Sequence, residues 1–153
     1  MEQEQVKVYK MKWFKFIIYV QLFFNAVIFV IQGIQYITGG IYGVAAPFVY
    51  ALYGQGLKLL DMLFGVVCIV FAIAAIWIRM RLAGFKKKAP LYYLLYIGIQ
   101  GVVSVGYSLA VAAITNQFTI GTFAPLLGTI LGSLMSLVIN YLYFDKRKEL
   151  FVN

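Results

Sequence analysis

Asp61 is the residue of this chain best placed to do chemistry. It lies in "LKLLDMLFGVV" and is the only acidic residue inside an apolar run. An ionisable group inside a membrane segment is costly and marks a functional site by default. Lys58 stands three residues earlier, where helical side chains are neighbours. The spacing predicts a Lys58–Asp61 ion pair near a helix N-terminus, whose dipole also favours a carboxylate. A structural ion pair and an ion- or proton-binding site both fit that pattern.

The second chemical resource is a set of side-chain amides. The stretch "QLFFNAVIFVIQGIQ" carries Gln21, Asn25, Gln32 and Gln35. At about 100° per residue they fall within an arc of about 80°. Similar arcs hold Asp61, Gly65 and Cys68; Tyr93, Tyr96, Gln100, Ser104 and Tyr107; and Thr122, Thr129, Ser133, Ser136, Asn140 and Tyr143. The predicted polar interior is Gln21, Asn25, Gln32, Gln35, Asp61, Gln100, Ser104, Ser133 and Asn140. An amide facing lipid leaves donors and acceptors unpaired. These groups therefore either tie helices together or line a pocket. Gly65, and Gly128 with Gly132 in "GTILG", are candidates for close helix packing.

Other chemistries find no residues. Histidine is absent, and the single cysteine, Cys68 in "GVVCIVFAIAA", reads as a small apolar side chain. The remaining acids are Glu2, Glu4, Asp145 and Glu149, all near the chain ends. No metal-ligand cluster and no Ser/His/Asp set can be drawn, so no enzyme, metal or cofactor is expected.

These residues require elements that hold them in lipid. The 153 residues are 63% hydrophobic and only 12% charged, too little charge for a soluble domain's shell. Four apolar segments are long enough to span a bilayer as helices, at about 16–37, 57–78, 90–114 and 122–144. Their length excludes barrel strands. The expected fold is all-α: a single membrane domain over 1–153, built as a four-helix bundle. The first span is too long for a signal-peptide core, so no cleavage is expected.

Charge sets the orientation. Lys7, Lys10, Lys12 and Lys15 precede the first span, Arg79, Arg81, Lys86, Lys87 and Lys88 fill the middle connection, and Lys146, Arg147 and Lys148 follow the fourth span. Only Lys58 lies in the other two connections. Both termini and the middle loop are therefore expected at the cytoplasmic face. The net charge of +8 is segregated in this way rather than spread along a groove, so nucleic acid is not an expected partner. The middle loop suits an anionic leaflet instead. The first outer connection, "TGGIYGVAAPFVYALYGQG", is uncharged and rich in tyrosine. Pro47 can open a short helix over 47–53, with Tyr42, Tyr50 and Tyr53 suited to the lipid–water boundary.

The passages "LKLLDMLFGVVCIVFAIAAIWIRMRLAGFKKKAP" and "VINYLYFDKRKELFVN" resemble a group of small four-span bacterial inner-membrane proteins without an assigned activity. The resemblance implies a multi-pass protein of the cytoplasmic membrane and no mechanism. Some similar chains carry an N-terminal zinc ribbon, which "MEQEQVKVYKMKWFK" does not provide. Small multidrug exporters share the span count, but their first helix carries a coupling glutamate, and 16–37 has no acidic residue. Small flippase-like accessory proteins are similar in size only. The expected function is non-catalytic: binding of a lipid or membrane partner, or scaffolding, with a homo-oligomer possible at the glycine face. The alternative is a small transporter or channel subunit with a polar path entered near Asp61.

Overall fold

The computed structural model describes residues 11–117 and 120–152, with side chains described from 123 in the second stretch. Lys7, Lys10, the Thr122 side chain and Asn153 lie outside the described residues. Every regular element among them is helical.

Helix α1 (Lys12–Phe16) runs through one π-helical turn, Ile17–Gln21, into α2 (Leu22–Thr38). The widened turn changes the local hydrogen-bond register. The Ile18 carbonyl there accepts a bond of 3.0 Å from Nε of Arg79, a residue far along the chain. Gly39 ends α2 in the left-handed conformation, at φ 77°, a position that favours glycine. A 3-10 turn, Gly40–Ala45, leads to α3 (Ala46–Ala83), which has Pro47 in its first turn. Gly54, at φ 80° and ψ −177°, breaks α3 into a short helix over 46–53 and a long one over 55–83. Helix α4 (Ala89–Thr115) opens at Pro90 and closes at Asn116, at φ 54°. Helix α5 (Ile120–Asp145) and a 3-10 turn, Lys148–Leu150, complete the described chain.

Three helical stretches are long and apolar enough to cross a membrane: Lys12–Ala83, Ala89–Thr115 and Phe123–Asp145. The first is 72 residues long and contains two of the expected spans. It doubles back through Gly39–Ala45, so that Phe29 packs on Phe71 and Ile18 meets Arg79. Each helix packs on the next in antiparallel fashion: α2 on α3, α3 on α4, α4 on α5. Bulky apolar side chains such as Phe24, Leu63, Val102 and Leu131 stand exposed around the outside.

Two contacts decide the shape. At Gly33 and Gly65 the α2 and α3 backbones approach closely: a Cβ on Gly65 would lie 2.8 Å from the Gly33 carbonyl oxygen. Helices α2 and α5 do not pack along their length. Among the described residues the first helical stretch meets α5 at one end, through α1, where Trp13 Nε1 donates to Asn140 Oδ1 at 3.2 Å and the Phe14 N–H donates to Tyr143 Oη at 3.1 Å. There Phe14, Phe85, Phe144 and Phe151 form one aromatic cluster. The array is thus pinned at the end carrying the basic residues and parted between α2 and α5 beyond it.

Gly128 and Gly132 take no part in the packing of the described helices. Both are exposed, and a Cβ on either would meet nothing within 4 Å. Their glycine face packs against no described helix, because α5 meets α4 through Ser133 and Leu137 instead.

Candidate functional site

The gap between α2 and α4 holds a cavity of about 330 Å³, within the size range of ligand clefts. Helix α2 contributes Asn25, Phe29, Gln32 and Tyr36 to its lining, α3 contributes Phe64, and α4 contributes Gln100, Ser104, Tyr107 and Ser108. Asn25 and Gln32 reach it because they lie seven residues apart on α2, and Gln100, Ser104 and Tyr107 share a face of α4. From Asn25 to Tyr36 the site runs roughly 16 Å along α2, at about 1.5 Å per residue.

The amides of Asn25, Gln32 and Gln100 form no hydrogen bond with any described residue, and neither does the Ser104 hydroxyl. The Tyr96 hydroxyl lies close to Asn25 but is buried without a hydrogen-bond partner. Polar groups in such surroundings are ordinarily paired with protein, water or ligand. The far wall is aromatic. Phe64 and Tyr107 are stacked, with centroids 4.0 Å apart, and Tyr36 stands edge-on to both. Among the described residues no charged side chain lines the cavity. A second hollow of about 250 Å³ adjoins at Tyr107 and Ser108 and continues between α4 and α5 past Thr115, Gln117 and Thr129.

Asp61 lies behind this wall, fully buried. Tyr107 Oη donates to its Oδ1 at 2.7 Å, and Tyr50 Oη donates to its Oδ2 at 3.1 Å. The expected Lys58–Asp61 ion pair does not form among the described residues. Lys58 is exposed and Asp61 is not. The lysine stem carries its ammonium outward, while the carboxyl group turns inward to the two phenols. The short helix over 46–53 is therefore latched to α3 and α4 through one carboxyl group. Burial, followed by the bond to Asp61, pushes the Tyr50 phenol up to about 12. Tyr42, edge-on to Tyr50, is raised by burial first and the Asp61 charge second.

The remaining expected site residues separate. Gln21 accepts a 3.0 Å bond from Tyr93 Oη, and Asn140 is held by Trp13 and by the Ser136 carbonyl. Both act as helix ties. Ser133 seats against Gly101, and Gln35 is exposed outside the cavity. The polar interior is therefore divided between ties at the pinned end and a cavity where α2 and α5 part. Of the basic residues in the middle connection, Arg79 is turned in to Ile18, whereas Arg81, Lys86, Lys87 and Lys88 are exposed.

Tyr36, Phe64 and Tyr50 were not expected at the site. Tyr36 and Phe64 carry no sign of it beyond being aromatic among apolar neighbours. Tyr50 is eleven residues from Asp61 across a helix break, so no periodicity relates them.

No family model, no curated protein and no solved structure matches this chain.

Proposed function

We propose that the chain is a four-span integral protein of a bacterial inner membrane that binds lipid without catalysing a reaction. Both termini and the basic connection at 79–89 face the cytoplasm in this reading, and the helix over 46–53 lies in the outer interface. The polar headgroup of a lipid enters the cleft from the parted side between α2 and α5 while its chains stay in the bilayer. The observation that carries the reading is the set of three amides, Asn25, Gln32 and Gln100, without a hydrogen bond among the described residues, in an open-sided cavity. Inside a bilayer, unpaired amides cost several kcal/mol in the limit, and an amphiphile can satisfy them without leaving lipid. The charge segregation supports the orientation.

The test is a photo-crosslinking amino acid at Gln32, compared with one at the exposed Leu131. Irradiation in native membranes should give adducts of one lipid class at position 32 and of the bulk lipid mixture at position 131. A protein adduct at position 32 would favour scaffolding, and the same lipid mixture at both positions would reject a cleft-bound lipid.

A small lipid transporter is the second reading. The adjoining hollow favours it, since it prolongs the polar track past Thr115 and Thr129. Movement of a headgroup-labelled lipid between proteoliposome leaflets, faster than in protein-free vesicles, is its expected sign.

A further inference from the structure

We propose that the cleft selects an uncharged, polyhydroxylated headgroup, that of a glycosyl diacylglycerol. The assignment rests on the lipid-binding reading above and adds to it the chemistry of the head.

The lining chooses among headgroups by what it offers and what it lacks. A phosphate calls for a guanidinium, an ammonium or a cluster of backbone N–H groups, because charge-assisted bonds are the strong ones. The cavity has no Lys or Arg in its lining. The carboxyl group of Asp61, hydrogen-bonded to Tyr107 of the lining, offers an anion no donor. An ammonium headgroup calls for an available carboxylate or an open aromatic box. Asp61 is fully buried behind Tyr107, and each of its oxygens already accepts a phenol hydrogen bond. Phe64 and Tyr107 are stacked on one another at 4.0 Å, and Tyr36 packs on both, which leaves no box between them for a cation.

What remains is hydrogen bonding without charge. The amides of Asn25, Gln32 and Gln100 each present a carbonyl acceptor and an NH₂ donor, the Ser104 hydroxyl both donates and accepts, and the Ser108 hydroxyl, which donates to the Ser104 carbonyl at 3.0 Å, still accepts. A sugar ring is the matching partner. Its hydroxyls donate and accept in the same way, and its C–H face can lie on an aromatic ring such as Tyr36. The span from Asn25 to Tyr36 accommodates a headgroup that stays joined to its lipid. Tyr36 and Tyr107 mark the shallow end, near the outer ends of α2 and α4.

The test uses the full chain in dodecylphosphocholine. Alkyl maltosides are avoided because their glycosyl heads would compete. Monogalactosyl dioleoylglycerol, dioleoylglycerol, dioleoyl phosphatidylglycerol and water-soluble methyl β-galactoside are titrated separately, read by melting midpoint and by adducts in native mass spectrometry. The galactolipid should raise the midpoint and give a one-to-one adduct, with about tenfold or greater preference over the other three. Asn25→Leu with Gln100→Leu should lose that preference while keeping helical circular dichroism. Equal binding of dioleoylglycerol would assign binding to the chains and overturn the proposal. So would tighter binding of phosphatidylglycerol, an equal effect of methyl β-galactoside alone, or an unchanged preference in the double variant. If the double variant fails to fold, the ligand series on the wild-type chain still decides. Capture of one lipid class at Gln32 without a galactolipid preference would refute only the headgroup assignment, whereas no such selective capture would refute the lipid-binding reading itself.

Discussion

At the scale of residues, Asp61 is an acceptor for two tyrosines rather than a partner for a lysine. Asp61→Ala leaves the Tyr50 and Tyr107 hydroxyls without their acceptor, and an unsatisfied buried group costs about 1–3 kcal/mol. We therefore expect Asp61→Ala to destabilise by about 3 kcal/mol and Lys58→Ala by no more than about 0.5 kcal/mol in detergent melting. Equal losses from the two changes would restore the ion pair. The Tyr50 phenol supplies a pH test. Its value in the fold, about 12, lies above the ordinary 10.0. The stability it contributes is therefore complete below pH 10 and is lost as pH rises through 12. The melting midpoint should fall over that window, and Tyr50→Phe should flatten part of the fall. That Asp61 is buried and polar was legible from its place in an apolar run. Its true partners were not, because one of them lies beyond the break at Gly54, where helical phase no longer carries over.

At the scale of elements, small residues do different work according to what they face. Gly65 lies against the Gly33 backbone, where a Cβ would sit 2.8 Å from a carbonyl oxygen, so Gly65→Ala must push two helices apart. Overpacking of that kind costs about 1–3 kcal/mol. Gly132 faces open space, and alanine there relieves the entropy cost of glycine in a helix, a gain of roughly 0.5–1 kcal/mol. Melting in detergent should move down for Gly65→Ala and stay level or rise for Gly132→Ala. A Gly132→Ala loss as large as that of Gly65 would mean that the glycine face of α5 is packed after all. The helices themselves were readable from apolar length and from Pro47 and Pro90 at their starts. The π-helical turn at Ile17–Gln21 was not, since its local sequence "IIYVQ" is ordinary and its visible partner is the remote Arg79.

At the scale of the whole molecule, the array is held at one end and open at the other. The aromatic cluster around Phe14 and the Trp13–Asn140 bond fasten α1 to α5, and the cleft lies where α2 and α5 separate. In the proposed orientation the pinned end is cytoplasmic. A C-terminal tag should then survive external protease on spheroplasts and be lost when the membrane is opened. Digestion of the tag on spheroplasts would reverse the orientation and place the cleft on the other side.

Helical character, the long apolar stretches and the alignment of Asn25, Gln32, Gln100 and Ser104 on shared faces were all determined by the sequence alone. Each depends on local chain geometry: an apolar length, a proline or glycine at an end, a fixed turn per residue. Only the tertiary structure decided which amides are paired. Gln21 and Asn140 lie on the same polar faces as Asn25 and Gln100, yet the first two meet Tyr93 and Trp13 while the others line a cavity. Helical phase states which way a side chain points. It does not state how far away the next helix stands, and here that distance is set by a backbone contact at Gly33 and Gly65 and by an aromatic cluster at the opposite end of the array.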